Sequence, residues 1–158
     1  ARAAALFEGS AFSDLRWARL TQWRALMAHF FDIPEVLAAA PDFSRLTIAA
    51  SDHMAARLFA AWLQSSLPFQ PGFTVEYAEG STSALIDEVR LADHEQQLVI
   101  RLSAHRTCLE TEVSVQGHRS ASRLVALRDQ TLTGLLTEEL RIRARDAAFE
   151  RALIRVSA

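Results

Sequence analysis

Lysine and asparagine are both absent from this chain of 158 residues, so arginine supplies all 17 of its basic side chains. Without lysine the chain has neither a lysine amine for a Schiff base nor a P-loop lysine for nucleotide phosphates. Acidic residues number 19, which gives a net charge of −2. Proteins that bind nucleic acid or a membrane surface carry an excess of positive charge, which this chain lacks. We therefore expect neither as a partner.

Cysteine and glycine are scarce as well. The single Cys108 permits no intramolecular disulfide and no cysteine-based zinc site, which is typical of a reducing compartment, and we expect a cytoplasmic protein. Five glycines leave little of the flexible backbone that phosphate-binding loops need. No apolar run approaches the roughly 18 residues of a membrane span, and no export signal is recognisable, so we expect neither insertion nor export.

Catalytic and metal-binding patterns are missing too. The five histidines show neither His-x-x-x-His nor His-Glu-x-x-His spacing. Cys108 follows His105 in a strand pattern, but no oxyanion loop accompanies the pair, and an ordinary half-buried cysteine is the better interpretation. We therefore expect a protein that is not an enzyme and that has no catalytic residue, no metal and no cofactor.

Residues 14–31 form the strongest pattern that is present. Ser13 or Asp14 can cap a helix, and apolar side chains then recur at helical spacing: Leu20, Trp23, Met27, Phe30 and Phe31. At about 100° per residue, Arg16 and Arg24 fall within roughly 40° of Leu20. Because an unpaired buried charge costs several kcal/mol, these arginines must be paired or must bind something outside the domain. The candidates for binding a partner or an anion are therefore Asp14, Arg16, Trp17, Arg19, Thr21 and Arg24.

The rest of the chain predicts an α+β domain. A short helix at 34–40 precedes a strand, an amphipathic helix and a second strand at 45–50, 53–67 and 73–77, which form a plausible β-α-β unit. A four-strand meander follows at 84–91, 97–105, 108–116 and 119–127. Two apolar stripes then predict helices: Leu132, Leu135, Leu136 and Leu140, and Phe149, Ala152, Leu153 and Val156. We expect a mixed, largely antiparallel sheet flanked by N- and C-terminal helices, in one domain at 13–158 that follows a linker or the tail of a missing N-terminal part at 1–12.

Alternation along the meander predicts one wet face and one buried charge. The wet face carries Arg101, Ser103, His105, Glu110, Glu112 and Ser114. Asp87 falls on the apolar face and needs a cation there, for which Arg16 or Arg24 is the natural candidate. We interpret this pair as structural in preference to functional.

The two tryptophans of the first helix have different predictions. Trp23 is expected in the core, whereas Trp17, at the edge of the helical stripe, suits an interface equally well.

The first helix reads Asp14-Leu-Arg-Trp17-Ala-Arg19-Leu20-Thr21-Gln-Trp23-Arg24, and Phe30-Phe31-Asp32 follows. This stretch resembles the Asp-Leu-x-Trp-x-Arg-Leu-Thr-x-Trp-Arg signature of the OpcA glucose-6-phosphate dehydrogenase assembly protein family. Weaker similarity continues at 45–48, 61–63, 135–141 and 149–153. Gln22 stands where the family pattern has proline.

The resemblance implies the C-terminal domain of a non-catalytic partner of glucose-6-phosphate dehydrogenase, one that promotes the enzyme's oligomerisation and activation in the oxidative pentose phosphate pathway. The helix at 14–31 or the wet sheet face would then bind the dehydrogenase. An alternative is a sensor of phosphorylated metabolites, whose anion pocket would be formed by Arg16, Arg19, Arg24 and Arg101. A hydrolase that uses His105, Cys108 or Asp87 is the third hypothesis. The oligomeric state of the chain itself stays open.

Overall fold

The computed structural model describes residues 14–81, 84–115, 118–128, 131–141 and 146–157. The helices in these ranges are α1 (Leu15–Arg19), α2 (Thr21–Phe30), α3 (Pro34–Ala39), α4 (His53–Ser66), α5 (Leu132–Arg141) and α6 (Ala147–Val156). The strands are β1 (Arg45–Ala50), β2 (Thr74–Glu79), β3 (Ile86–Ala92), β4 (Gln97–Leu102), β5 (Cys108–Val115) and β6 (His118–Ala126). The segment at 1–12, predicted to be a linker or tail, lies outside the described residues.

The strands form a six-stranded sheet in the order β2-β1-β3-β4-β5-β6. Strands β1 and β2 run parallel and are connected through α4, because a parallel pair needs a long crossover to return the chain. The other neighbouring pairs are antiparallel, and β3 to β6 form a meander. The prediction of an α+β fold with a mixed, largely antiparallel sheet and flanking helices is therefore confirmed.

The core lies between one face of this sheet and the helices. Helix α2 contacts β4, α3 contacts β5, and α4 contacts both β1 and β2. The largest side chains in the core are less than 2% exposed, among them Phe43, Phe59, Leu20, Met27, Ile48 and Leu98. Trp23, which the helical stripe predicts as a core residue, is 6% exposed, so that prediction is confirmed.

The predicted single helix over 14–31 is two helices. Leu20 ends α1, and its N–H donates to the carbonyls of both Arg16 and Trp17, at 3.0 and 3.1 Å. Such shared bonds tighten the last turn of a helix and interrupt its regular spacing of side chains. The 100° projection is therefore wrong for Arg16, which is exposed and lies outside the apolar stripe.

A β-bulge in β3 overturns the predicted placement of Asp87. Ala49 pairs with Glu88 and Ala50 pairs with Ile86, so Asp87 is an extra residue in β3. A bulge of this kind reverses the alternation beyond it. Ile86, 2% exposed, takes the core position that strict alternation assigns to Asp87.

The two predicted C-terminal stripes have different outcomes. Phe149 and Ala152 of α6 are buried as expected, whereas α5 buries Leu135 but leaves Leu132 and Leu136 55% and 44% exposed. The side chain of Leu140 lies outside the described residues. No helix in the described ranges has the length and apolar composition needed to cross a membrane.

Candidate functional site

The predicted site begins at the N-terminus of α1, where Asp14 is the capping residue. Its Oδ1 accepts the backbone N–H of Arg16 at 2.7 Å. The first N–H groups of a helix have no partner within the helix, so a carboxylate here stabilises the end of α1. Asp14 therefore has a structural role, and Ser13, the other predicted cap, lies outside the described residues.

Arg16 connects α1 to the start of α4. Its Nε donates to Oδ2 of Asp52 at 2.7 Å, and Oδ1 of Asp52 accepts the backbone N–H groups of Met54 and Ala55 at 3.0 and 3.1 Å. Burial raises the pKa of Asp52, but the hydrogen bonds from Arg16, Ala55 and Met54 and the charge of Arg16 outweigh it, so the pKa lies below its ordinary value. The same hydrogen bond raises the pKa of Arg16. One carboxylate thus caps α4 and pairs with α1.

Trp17 makes the equivalent connection to α6. Its Nε1 donates to Oδ2 of Asp146 at 2.7 Å, while Oδ1 of Asp146 caps α6 by accepting the N–H groups of Ala148 and Phe149. The rings of Trp17 and Phe149 pack with their centroids 5.3 Å apart. Burial raises the pKa of Asp146, but hydrogen bonds from Phe149 and Trp17 and the charge of Arg24 outweigh it, so this pKa also lies below its ordinary value. Trp17 is 3% exposed and lies in the core.

Arg24 covers the other side of Trp17. Its guanidinium carbon lies 3.6 Å from the centroid of the Trp17 ring. Its Nη2 donates to the Trp17 carbonyl at 3.4 Å and to Oγ1 of the exposed Thr21 at 3.2 Å. A cation stacked on an indole is attracted by the electron density of the ring face. The sequence indicates that Arg24 needs a partner, because it falls near the apolar stripe. The indole of Trp17 and these two hydrogen bonds provide that partner within the fold.

Gln22 is the residue of this segment that the sequence reasoning missed. It is 8% exposed, its Nε2 donates to the carbonyl of Ala126 at 2.7 Å, and its Oε1 accepts the N–H of Arg128 at 2.9 Å. These bonds connect α2 to the end of β6, and proline at this position would make neither. The departure from the family pattern at Gln22 was the available signal. We refer to Asp14, Arg16, Trp17, Gln22 and Arg24 together as the N-terminal clasp.

Arg19 differs from these residues because it lines a cavity. The cavity has a volume of about 300 Å³ and is lined by Arg19, Leu20, Trp23, Ala84, Leu85, Ile86, Leu102, Arg106 and Leu127. Nε of Arg19 is buried and has no hydrogen-bond partner in the described part of the chain. We refer to this space as the two-arginine cavity.

Arg106 is the second cation of the cavity and the ionic partner of Asp87. Its Nη2 lies 3.6 Å from Oδ1 of Asp87 and also donates to Oγ of Ser81. Ser81 in turn donates its N–H and its hydroxyl to Asp87, at 2.7 and 2.8 Å. Asp87 thus forms an ion pair, but the predicted partners Arg16 and Arg24 are wrong. A Cβ at Gly80 would collide with the Asp87 carboxylate, so glycine is required beside this cluster.

Arg101, the fourth arginine of the predicted anion pocket, lies elsewhere. It is paired with Glu88 at 3.5 Å and with Glu112 at 3.6 Å, while Arg90 lies 2.9 Å from Glu88. These residues belong to the polar face of the sheet. Ser103 and His105, predicted on that face, lie beyond the end of β4. The predicted pocket of four arginines is therefore wrong, because Arg19 alone among them lines the two-arginine cavity.

The residues weighed for catalysis and metal binding do not form a cluster in the described ranges. Cys108 is half-buried and its Sγ lies 3.8 Å from Oγ1 of Thr107. Within those same ranges, no three His, Cys, Asp or Glu side chains are grouped so that they could hold a metal ion.

Two comparisons with known proteins bear on this arrangement. A family model that describes the C-terminal domain of a glucose-6-phosphate dehydrogenase subunit matches residues 10–153, which extend from before the clasp into α6. A curated protein of Nostoc punctiforme (strain ATCC 29133 / PCC 73102), "Putative OxPP cycle protein OpcA", is 33% identical over 93 residues. That alignment covers 58% of this chain and 19% of the relative, so the chain matches about a fifth of the length of that protein.

Proposed function

This chain belongs to the family defined by the C-terminal domain of the glucose-6-phosphate dehydrogenase subunit, and from that premise we propose that it is a non-catalytic partner of the dehydrogenase. Its role would be to bind the enzyme and promote its active oligomer. The observation that carries the proposal is the family match itself, which includes the clasp, the sheet and most of α6. The similarity to a protein named for the OxPP cycle supports the same role.

Preferential binding is the physical means by which such a partner would act. A protein that binds the assembled enzyme but not its separate subunits stabilises the assembly by mass action. At a free concentration about 100 times its Kd, it stabilises the assembled state by about 2.7 kcal/mol. The equilibrium constant for dissociation of the dehydrogenase assembly would then fall roughly a hundredfold.

Leu132 and Leu136 of α5 are the residues that we propose the dehydrogenase covers. They are one helical turn apart and 55% and 44% exposed, and α5 contacts α1 of the clasp. Burying a leucine side chain is worth about 1.5–3 kcal/mol, so two of them supply a useful part of a binding energy. The polar sheet face is a weaker candidate, because Arg90, Arg101 and their carboxylates are already paired with one another.

Enzyme velocity and assembly size together test the proposal. The velocity of glucose-6-phosphate dehydrogenase from the same source is measured with and without this chain, and the apparent mass is followed by light scattering. We expect a larger assembly and a lower apparent KM for substrate. If neither the mass nor the velocity changes at any concentration of the chain, the proposal is wrong.

Surface variants then identify the face that binds. We expect Leu136→Arg in α5 to weaken activation at least about tenfold, the equivalent of 1.4 kcal/mol. Ala25→Arg tests the outer side of α2, and Leu124→Arg, 66% exposed in β6, tests the polar sheet face. The exposed Ala38 of α3 provides the matched control, Ala38→Arg. A loss confined to Ala25→Arg or Leu124→Arg would move the interface to α2 or to the sheet.

A further inference from the structure

We propose that the two-arginine cavity binds a small organic anion, one whose carboxylate or phosphate group is attached to an apolar body. The proposal does not rest on the proposed function, because it uses the chemistry of the cavity alone. A volume of about 300 Å³ is at the lower end of the range for small-molecule sites. The cavity is therefore large enough for a ring or a short chain that carries one anionic group.

Arg19 supplies the first reason to expect an anion. Its Nε is buried without a hydrogen-bond partner, and its guanidinium forms no ion pair with any of the described residues. Burying a charged group without a partner is unfavourable, and a guanidinium offers a planar pair of donors suited to a carboxylate or phosphate. Because Arg19 lines the cavity, an anion there would give its guanidinium an acceptor that the described residues do not provide.

Arg106 supplies the second reason to expect an anion. Its backbone has φ = 57°, a left-handed conformation that few non-glycine residues adopt, at the turn between β4 and β5. One of its terminal nitrogens, Nη2, is held by Ser81 and Asp87, which fixes the side chain at the edge of the cavity. Asp87 offsets the charge of Arg106, and Arg19 adds a positive charge that no described residue offsets.

The remaining lining decides the class of anion. Six of the other seven lining side chains are large and apolar: Leu20, Trp23, Leu85, Ile86, Leu102 and Leu127. The hydroxyl groups of a sugar phosphate would lose water against such walls and gain no hydrogen bond, which is costly for each group. The ligand that fits is a carboxylate or phosphate on a hydrocarbon or aromatic body.

A titration with three simple probes tests this inference on the chain itself. Phenyl phosphate has both required parts, whereas inorganic phosphate lacks the apolar body and phenol lacks the charge. Binding is followed by the amide shifts of the ¹H–¹⁵N NMR spectrum. We expect phenyl phosphate to saturate with a Kd of about 0.1–1 mM, and each of the other probes to bind at least about tenfold more weakly.

Substitutions locate the site and separate it from general charge attraction. Arg19→Gln is expected to raise the Kd of phenyl phosphate about tenfold, whereas Arg45→Gln, an equal change of charge at an exposed residue of β1, leaves it within about twofold. Ala84→Phe fills the cavity without removing an arginine and is expected to abolish binding. The shifted amides should include Leu85, Leu102 and Leu127.

Three outcomes would overturn the inference. Phenyl phosphate that fails to saturate shows that the cavity binds no such anion. Equal weakening by Arg19→Gln and Arg45→Gln shows surface attraction only. Phenol that binds as tightly as phenyl phosphate, with no effect of Arg19→Gln, shows an apolar cavity without anion recognition.

Discussion

The N-terminal clasp and the two-arginine cavity share the segment 14–24, but they differ in whether the fold provides partners for the polar side chains. In the clasp, Arg16 and Trp17 donate to the carboxylates that cap α4 and α6, and Gln22 satisfies two backbone groups beyond β6. In the cavity, Nε of Arg19 has no hydrogen-bond partner in the described structure. These three clasp residues are therefore bonded within the fold, whereas the cavity beside Arg19 is chemically suited to a further molecule.

This difference separates structural residues from candidate binding residues within one family signature. Trp17 is buried by Phe149 on one side and by Arg24 on the other, so it reaches a partner only if the fold opens. Arg19 is two residues further along the chain and only half-buried. Binding by the six candidates stays a prediction, and the structure favours Arg19 among them.

The largest expected effect is that of Trp17→Ala, which should lower the free energy of unfolding by about 3–5 kcal/mol. The substitution removes a buried ring, leaves Arg24 without its stacking surface, and takes one donor from Asp146. Trp17→Phe is the control, because it keeps the contact with Phe149 and loses the indole N–H. Urea denaturation measures both. If Trp17→Ala costs less than about 1 kcal/mol, Trp17 has no structural role and becomes an interface candidate again.

Gln22→Leu should have the next largest effect, a loss of about 1–3 kcal/mol, since it removes two partly buried hydrogen bonds that contribute about 0.5–1.5 kcal/mol each. The groups concerned are the carbonyl of Ala126 and the N–H of Arg128. Gln64→Leu on α4 is the matched control, because Gln64 accepts one exposed hydrogen bond from Arg155. Chemical denaturation of the two variants should differ by more than about 1 kcal/mol. Equal values would show that Gln22 does not connect α2 to β6.

Acid should weaken the contacts of the clasp with Asp52 and Asp146, the carboxylates that Arg16 and Trp17 bind, each worth about 1 kcal/mol as a helix cap. The folded state holds the pKa of Asp52 and of Asp146 below the ordinary value, which is about 3.9 when the chain is unfolded. Their contribution to stability is therefore complete above about pH 4 and is lost as the pH falls through the folded pKa.

Asparagine variants test whether the two carboxylates cause this loss of stability in acid. Asp52→Asn and Asp146→Asn keep a capping oxygen but remove the titration, so the fall in unfolding free energy between about pH 5 and pH 2 should be shallower than in the unsubstituted chain. Asp42→Asn, an exposed change outside the clasp, is the control. An unchanged dependence of the unfolding free energy on pH in both Asp52→Asn and Asp146→Asn would contradict the assignment.

Local patterns predicted the element order and the class of fold, but not the contacts of the site. Periodicity reports how neighbouring residues are spaced, so it found the β-α-β unit, the meander and the core position of Trp23. It could not anticipate the tightened turn at Leu20 or the extra residue in β3, since each shifts the register by a local irregularity. The pair of Trp17 and Asp146 joins residues 129 positions apart, and no spacing rule encodes such a contact.

The smallest expected effect comes from comparing Arg16, which the fold provides with an ionic partner, with the half-buried Arg19, for which the described residues provide none. Arg16→Met breaks the bond to Asp52 and should cost about 0.5–1 kcal/mol, the value of a half-exposed ion pair. Arg19→Met keeps the aliphatic part of the side chain and removes a buried Nε that has no partner in the described structure, so it should leave the free energy of unfolding unchanged or slightly increased. Parallel urea titrations of the two variants, without added anions, measure the difference. A larger loss for Arg19→Met than for Arg16→Met would mean that Arg19 stabilises the fold as the clasp does, and the cavity would then lose its argument for an external anion.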